Sequence, residues 1–115
     1  MSQTLIYHLC RAEEWRAAES ARRYDGSSQD VGDGFIHFST AAQIVESARR
    51  HRPGQDGLVL IAVDAARLDE RLHWEPSRGG DLFPHLYGTL APDESANVWR
   101  LPLGADGRHI FPPLD

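Results

Sequence analysis

A small mixed α+β domain is what this sequence predicts, and three stretches predict it. Residues 4–10 (TLIYHLC) are short, apolar and partly β-branched or aromatic; residues 40–48 open with a capping box and continue with a helical apolar stripe; residues 58–64 (LVLIAVD) form a nearly continuous apolar run.

Taken in order, residues 4–10 read as a strand whose alternation puts Leu5, Tyr7 and Leu9 on one face and Ile6, His8 and Cys10 on the other. Residues 11–23 turn to Ala, Glu and Arg, good helix formers, with Trp15 and Ala18 three apart on one side. Residues 24–34 (YDGSSQDVGDG) carry Gly, Ser and Asp without apolar periodicity and predict a long loop, a candidate lid over the strand that follows. Residues 35–39 (FIHFS) predict a second strand, with Phe35, His37 and Ser39 on one face and Ile36 and Phe38 on the other.

Thr40 and Gln43 have the spacing at which a hydroxyl and an amide satisfy each other's exposed backbone N–H groups, so a helix starts directly after that strand. Ala41, Ile44, Val45 and Ala48 supply its buried stripe, and Pro53-Gly54 ends it. The run 58–64, bounded by Gly57 and Asp64, predicts a central strand covered on both faces. Residues 72–75, 83–88, 97–101 and 109–111 are further short strand candidates, with 77–81 a flexible loop and Asp106-Gly107 a turn.

At 115 residues the chain has room for one core, so a single domain over residues 1–115 is expected. Apolar residues at 41% and charged residues at 25% are ordinary globular values and argue against disorder. All 12 basic residues are Arg and the net charge is −5; an acidic surface repels phosphate backbones, so general nucleic-acid binding is not expected, although a local Arg pocket can hold one phosphate. Cys10 is alone, which excludes an intramolecular disulfide. Without a basic segment preceding an apolar run, and without an apolar stretch long enough to span a bilayer, the expectation is a cytoplasmic protein with no membrane contact, a monomer or small homo-oligomer.

Six His are present, and His8, His37 and His85 fall within segments that otherwise read as buried strand. An imidazole in place of an aliphatic side chain forfeits roughly 1–3 kcal/mol unless its nitrogens find partners, so three such positions ask for a reason. One reason is a shared site, since perturbed titratable groups gather at sites; the bland alternative is a set of core histidines tied to backbone carbonyls. His51, His73 and His109 read as surface residues.

His37 and Ser39 share a predicted face and the capped helix begins at Thr40, which sets an imidazole, a hydroxyl and unpaired N–H groups side by side, suited to a phosphorylated or carboxylate ligand. Trp74-Glu75 and residues 83–88 (FPHLYG) flank a glycine-containing loop and offer an indole, a carboxylate, an imidazole and the Tyr87 phenol, suited to a planar ring with a polar edge; ordinary core aromatics are the alternative. A metal site on His8, His37, His85 and Glu75 would have to be assembled from distant strands, because no HxH, HxxxH or HExxH is present, and no metal is expected. Nothing local activates Cys10 or Ser39 as a nucleophile.

The pieces Ile6-Tyr7-His8, Trp15, Gly34-Phe35-Ile36-His37-Phe38-Ser39-Thr40, Leu58-Val59-Leu60, Leu72-His73-Trp74-Glu75 and Phe83-Pro84-His85-Leu86-Tyr87-Gly88 together resemble the uncharacterised bacterial family called domain of unknown function 952, in the family's order and up to about Leu103. The resemblance implies the ADP-ribosyltransferase-like α+β fold, two small, mostly antiparallel sheets around a cleft with flanking helices, which in active relatives binds NAD. By that resemblance His8 matches the first-strand residue of the superfamily's cleft and His37 the second-strand residue, where a Tyr is usual. The late Glu, which orients the ribose hydroxyl and stabilises an oxocarbenium-like transition state, falls to Glu75 or Glu94, with His85 taking part of that role.

The implied catalytic residues are therefore His8, His37, His85 and Glu75, and the implied ligand-binding residues Ser39, Thr40, Trp74 and Tyr87. The expected function is binding of NAD, as a substrate, or of a related nucleotide, with transfer or hydrolysis of ADP-ribose. A non-catalytic nucleotide or metabolite module of the same fold is the second reading, and a metal-dependent hydrolase on the His cluster the third.

Overall fold

The computed structural model describes residues 4–114. Strand β1 (Leu5–Arg11) runs directly into helix α1 (Ala12–Ala21); α2 (Ser28–Asp33) precedes β2 (Ile36–His37) and β3 (Ser39–Thr40), and α3 (Ala41–His51) follows at once. Strands β4 (Leu58–Asp64), β5 (Leu72–Pro76), β6 (Leu82–Leu86) and β7 (Ser95–Leu101) complete the order, with 3-10 turns at Ala65–Arg71, Arg78–Gly80 and Pro92–Glu94. The strands form two antiparallel sheets, a four-stranded one ordered β3-β1-β4-β7 and a three-stranded one ordered β2-β6-β5.

The apolar run of β4 sits in the middle of the larger sheet because both of its faces are covered. Leu58, Leu60 and Ala62 pack with Tyr7, Leu9, Leu101 and the Ile44 and Ala48 stripe of α3. Val59, Ile61 and Val63 pack on the other face with Ile6, Cys10, the Trp15 and Ala18 side of α1, and Ile36 and Leu86 of the smaller sheet. The alternation expected for β1 holds: Tyr7 and Leu9 belong to the α3 side, Ile6 and Cys10 to the side facing the smaller sheet. His8 shares that second face, between the sheets. Among the described residues no helix is long and apolar enough to cross a membrane.

Four sequence expectations are corrected. Residues 24–34 are not all loop, because Ser28–Asp33 form α2. Its composition is poor for a helix, but Ser27 and Asp30 cap it reciprocally, Ser27 N–H donating to Asp30 Oδ2 at 2.7 Å, and Gly34 closes it at φ 87°. Residues 35–39 are not one strand: the chain passes from one sheet to the other at Phe38, so Ser39 does not share the face of His37. In α3 the buried stripe is Ile44, Ser47 and Ala48, while Val45 faces outward, 51% exposed. Residues 109–111 form no strand; His109 makes only an isolated bridge to Leu103 across the Asp106-Gly107 turn.

Candidate functional site

The change of sheet at Phe38 builds the site. On one side β2 pairs with β6, His37 opposite His85; on the other β3 pairs with β1, Ser39 opposite Tyr7. Between them the Phe38 N–H donates to Pro84 O at 3.0 Å and its ring is buried in the core. Two sheets are thus pinned together within three residues, and a cleft of about 200 Å³ opens where they part. Tyr7, His8 and Leu9 line it from β1, Ser27, Gln29 and Asp30 from α2 and its cap, and His37 and Ser39 from the crossover. Ile44, Ser47, His51 and Arg52 line it from α3 and its end, and Ser77, Phe83 and His85 from the smaller sheet and its hairpin.

His8 is buried and both of its ring nitrogens are engaged, Nδ1 with His37 O at 2.5 Å and Nε2 with Tyr24 Oη at 2.6 Å. A carbonyl can only accept, so Nδ1 carries the proton and Nε2 accepts from the Tyr24 hydroxyl. Burial lowers the imidazole pKa, against the pull of Asp30, 3.5 Å from Nε2, and of the His37 carbonyl. The neutral ring is what this arrangement favours.

His37 is held by Asp30, whose Oδ1 accepts from the ring Nδ1 at 2.6 Å, while its Nε2 lies 3.3 Å from Asp33 Oδ2. Burial alone would raise the Asp30 carboxyl. The His37 hydrogen bond, the electrostatic pull of the nearby His8 imidazole and the backbone N–H groups of Ser27 and His37 outweigh it and hold the group at about 2.

His85 has a different environment. Its Nδ1 donates to Glu75 Oε1 at 2.7 Å, and the Tyr87 hydroxyl donates to the same oxygen at 2.7 Å. Phe35 stacks on the imidazole with centroids 4.2 Å apart. Among the described residues nothing hydrogen-bonds Nε2, and His85 lines the cleft whereas Glu75 does not, so the carboxylate fixes the ring from behind and leaves Nε2 as its free edge. A carboxylate-anchored imidazole with one open nitrogen can exchange a proton with a bound group. The hydrogen bond from His85, then that from Tyr87, lowers the Glu75 carboxyl and keeps it ionised for this task.

Of the residues singled out in sequence, His8, His37, Ser39 and His85 meet at the cleft, with Glu75 one hydrogen bond behind His85 and Tyr87 one further, behind Glu75. Ser39 is buried and its hydroxyl is paired with Ser47 Oγ at 3.0 Å. Thr40 caps α3, its N–H donating to Gln43 Oε1 at 3.0 Å, and is absent from the described lining. Trp74 alternates to the face of β5 opposite Glu75 and is 42% exposed. Glu94 is committed elsewhere, to Arg71 Nη2 at 2.9 Å and Ala91 N–H at 2.9 Å. Among the described residues no three His, Cys, Asp or Glu side chains are placed to hold a metal ion. Cys10 is buried, which pushes its thiol up to about 12.

Asp30, Tyr24, Ser47 and Arg52 were not legible as site residues. Only Asp30 carried a usable signal: Ser27-Ser28-Gln29-Asp30 has the spacing of a reciprocal helix cap, which places a carboxylate at the start of a helix rather than in a loop.

Two antiparallel sheets, flanking helices and a histidine-lined cleft at the point where the chain changes sheet define the class, a compact α+β domain with one candidate site. The chain belongs to the family described as Protein of unknown function (DUF952), whose model matches residues 9–98. It is similar to the Caulobacter crescentus protein CC0527: its crystal structure is 47% identical, with a TM-score of 0.90 over 93% of this chain and 94% of that one. The solution NMR structure of the same protein is 47% identical, with a TM-score of 0.82 over 90% of each chain. No curated protein matches the chain.

Proposed function

We propose that this protein is ADP-ribosyltransferase-like and binds NAD or a related nucleotide in the cleft, with His85 Nε2 at the reacting centre. The observation that carries the reading is the convergence of His8, His37 and His85 from β1, β2 and β6 on one hollow. The arrangement of two small antiparallel sheets around a cleft agrees with the resemblance in the first strand and the GFIHFST and FPHLYG motifs. The residues divide the work. His8 holds the His37 carbonyl and so the crossover; Phe35 supplies a flat backing to His85, and His85 offers the open nitrogen. A hollow of about 200 Å³ is smaller than the roughly 300–1,000 Å³ of sites that enclose a drug-sized ligand, so one ring and its ribose enter and the remainder lies along the mouth.

In transfer or hydrolysis the bond between nicotinamide and ribose breaks, nicotinamide leaves, and the acceptor or water oxygen bonds the ribose carbon while its proton passes to His85 Nε2. The non-catalytic reading has its own support: Asp30, the described carboxylate in the lining, is fully occupied, and Glu75 stands behind His85 instead of facing the ribose. Thermal shift with NAD and ADP-ribose tests binding, since a ligand at 100 times its dissociation constant stabilises by about 2.7 kcal/mol. Nicotinamide release followed by chromatography, abolished in His85→Ala, selects the enzyme; binding without release selects the module. No shift with either nucleotide overturns the reading.

A further inference from the structure

Arg52 stands apart from the other arginines whose side chains are described. Arg23, Arg49, Arg50, Arg71 and Arg108 each pair with a carboxylate. Arg11, Arg16, Arg22, Arg67 and Arg100 are exposed to water. Two are partly buried, Arg71 and Arg52; Arg71 pairs with Glu94 at 2.9 Å, whereas among the described residues Arg52 has only the neutral Gln55 Oε1, 3.2 Å from Nη1. A partly desolvated guanidinium has lost hydration that a neutral amide returns only in part, and a planar fork of donors is left with valence for an anion.

Its position directs that valence inward. Arg52 is the C-cap of α3 and lines the cleft, close enough for its charge to act on the His8 ring. The helix C-terminus attracts a cation, but an Arg reaching into water would capture that equally, so the dipole does not explain why Arg52 lines the hollow. Ser39 and Ser47 line the same cleft with their hydroxyls hydrogen-bonded to each other at 3.0 Å, so the lining beside Arg52 is polar and carries no negative charge.

We propose that Arg52 anchors an anionic group of the ligand, a phosphate or pyrophosphate, at the α3 end of the cleft. This deepens the nucleotide reading and rests on it for the identity of the whole ligand, although the anion subsite is defined by its own residues. In a nucleotide so held the phosphates lie at Arg52, and the ribose and its ring extend toward His85.

Isothermal titration calorimetry of the full chain with pyrophosphate, ADP-ribose and adenosine, for wild type, Arg52→Gln and Arg52→Lys, tests the assignment alongside each variant's melting curve. Expected is binding of pyrophosphate and ADP-ribose, weakened about tenfold or more in Arg52→Gln and less in Arg52→Lys, with adenosine indifferent to the substitution. If pyrophosphate binds and Arg52→Gln removes it while ADP-ribose adds nothing, the anion subsite stands and the nucleotide reading falls. If ADP-ribose binds equally well to wild type and a folded Arg52→Gln, the nucleotide reading stands and this assignment is overturned. Should Arg52→Gln fail to fold, the neutral Arg52→Met takes its place, and wild-type affinity for pyrophosphate in that folded variant overturns the assignment as well.

Discussion

Asp30 Oδ1 accepts two hydrogen bonds from one residue, His37, from the ring Nδ1 at 2.6 Å and from the backbone N–H at 3.2 Å. With Oδ2 taking the Ser27 N–H at 2.7 Å, a single buried carboxylate fastens α2 to β2 and sets one wall of the cleft. Its folded pKa of about 2 lies below the ordinary 3.8, so its contribution is complete above pH 4 and is lost as the pH falls through 2. That contribution is roughly 2 kcal/mol. Asp30→Asn is expected to lose about 3 kcal/mol at neutral pH and to show a flatter acid limb than wild type. Urea unfolding at a series of pH values checks both, and parallel acid limbs would contradict the assignment.

His8 titrates in a separate window. Burial depresses its folded pKa below the ordinary 6.5, so the unfolded chain binds the extra proton first, and stability is complete above 6.5 and declines as the pH falls. His8→Phe leaves the His37 carbonyl and the Tyr24 hydroxyl without this partner and is expected to destabilise by about 1–3 kcal/mol at neutral pH. The gap between variant and wild type narrows toward pH 5, because the variant has no imidazole to charge. Long-range nitrogen NMR spectra of wild type are expected to show the Nδ1–H tautomer at this ring; an Nε2–H signal would refute the hydrogen-bond assignment.

Glu75→Ala separates orientation from stability. The carboxylate is partly exposed, so its removal leaves the melting temperature nearly unchanged. Its removal also frees His85 Nδ1, and the same NMR experiment is expected to show the wild-type Nδ1–H form giving way to a tautomer mixture. A ring that keeps its tautomer in the variant is being oriented by something other than Glu75.

Two glycines bracket α2 and make a controlled comparison. Gly26 has φ 102°, and a Cβ there would lie 2.6 Å from Asp30 Cβ; Gly34 has φ 87° with open space around it. Gly34→Ala carries the backbone penalty alone, about 1 kcal/mol, while Gly26→Ala adds the displacement of Asp30 and is expected to lose about 2–3 kcal/mol. Equal losses in urea unfolding would mean that Asp30 yields without consequence.

The fold was legible where one periodicity ran unbroken. β1, α3 and β4 each declare themselves by alternation, a capped helical stripe or a continuous apolar run; the faces of β1 and β4 follow from those patterns, while in α3 Ser47 takes the buried place expected of Val45. Phe35-Ile36-His37-Phe38-Ser39 also alternates, yet the chain changes sheet within it, because the Phe38 amide is taken by Pro84, 46 positions later, and no local pattern encodes so distant a partner. The histidines were legible because imidazoles in strand-like segments ask for an explanation. Asp30, Tyr24 and Arg52 were not, since a charged or phenolic side chain beside a turn looks the same in sequence whether it faces water or a cleft.

The passage at Phe38 also governs what can yield when something enters the hollow. His37 and Ser39 stand on opposite walls, joined by two peptide units that allow their Cα atoms no more than about 7 Å, and each is hydrogen-bonded into its own sheet. That end therefore has a bore set by covalent geometry, indifferent to the visitor. The wall beside His37 hangs on a six-residue helix between two glycines and one carboxylate, so accommodation of guests of unequal girth falls to α2.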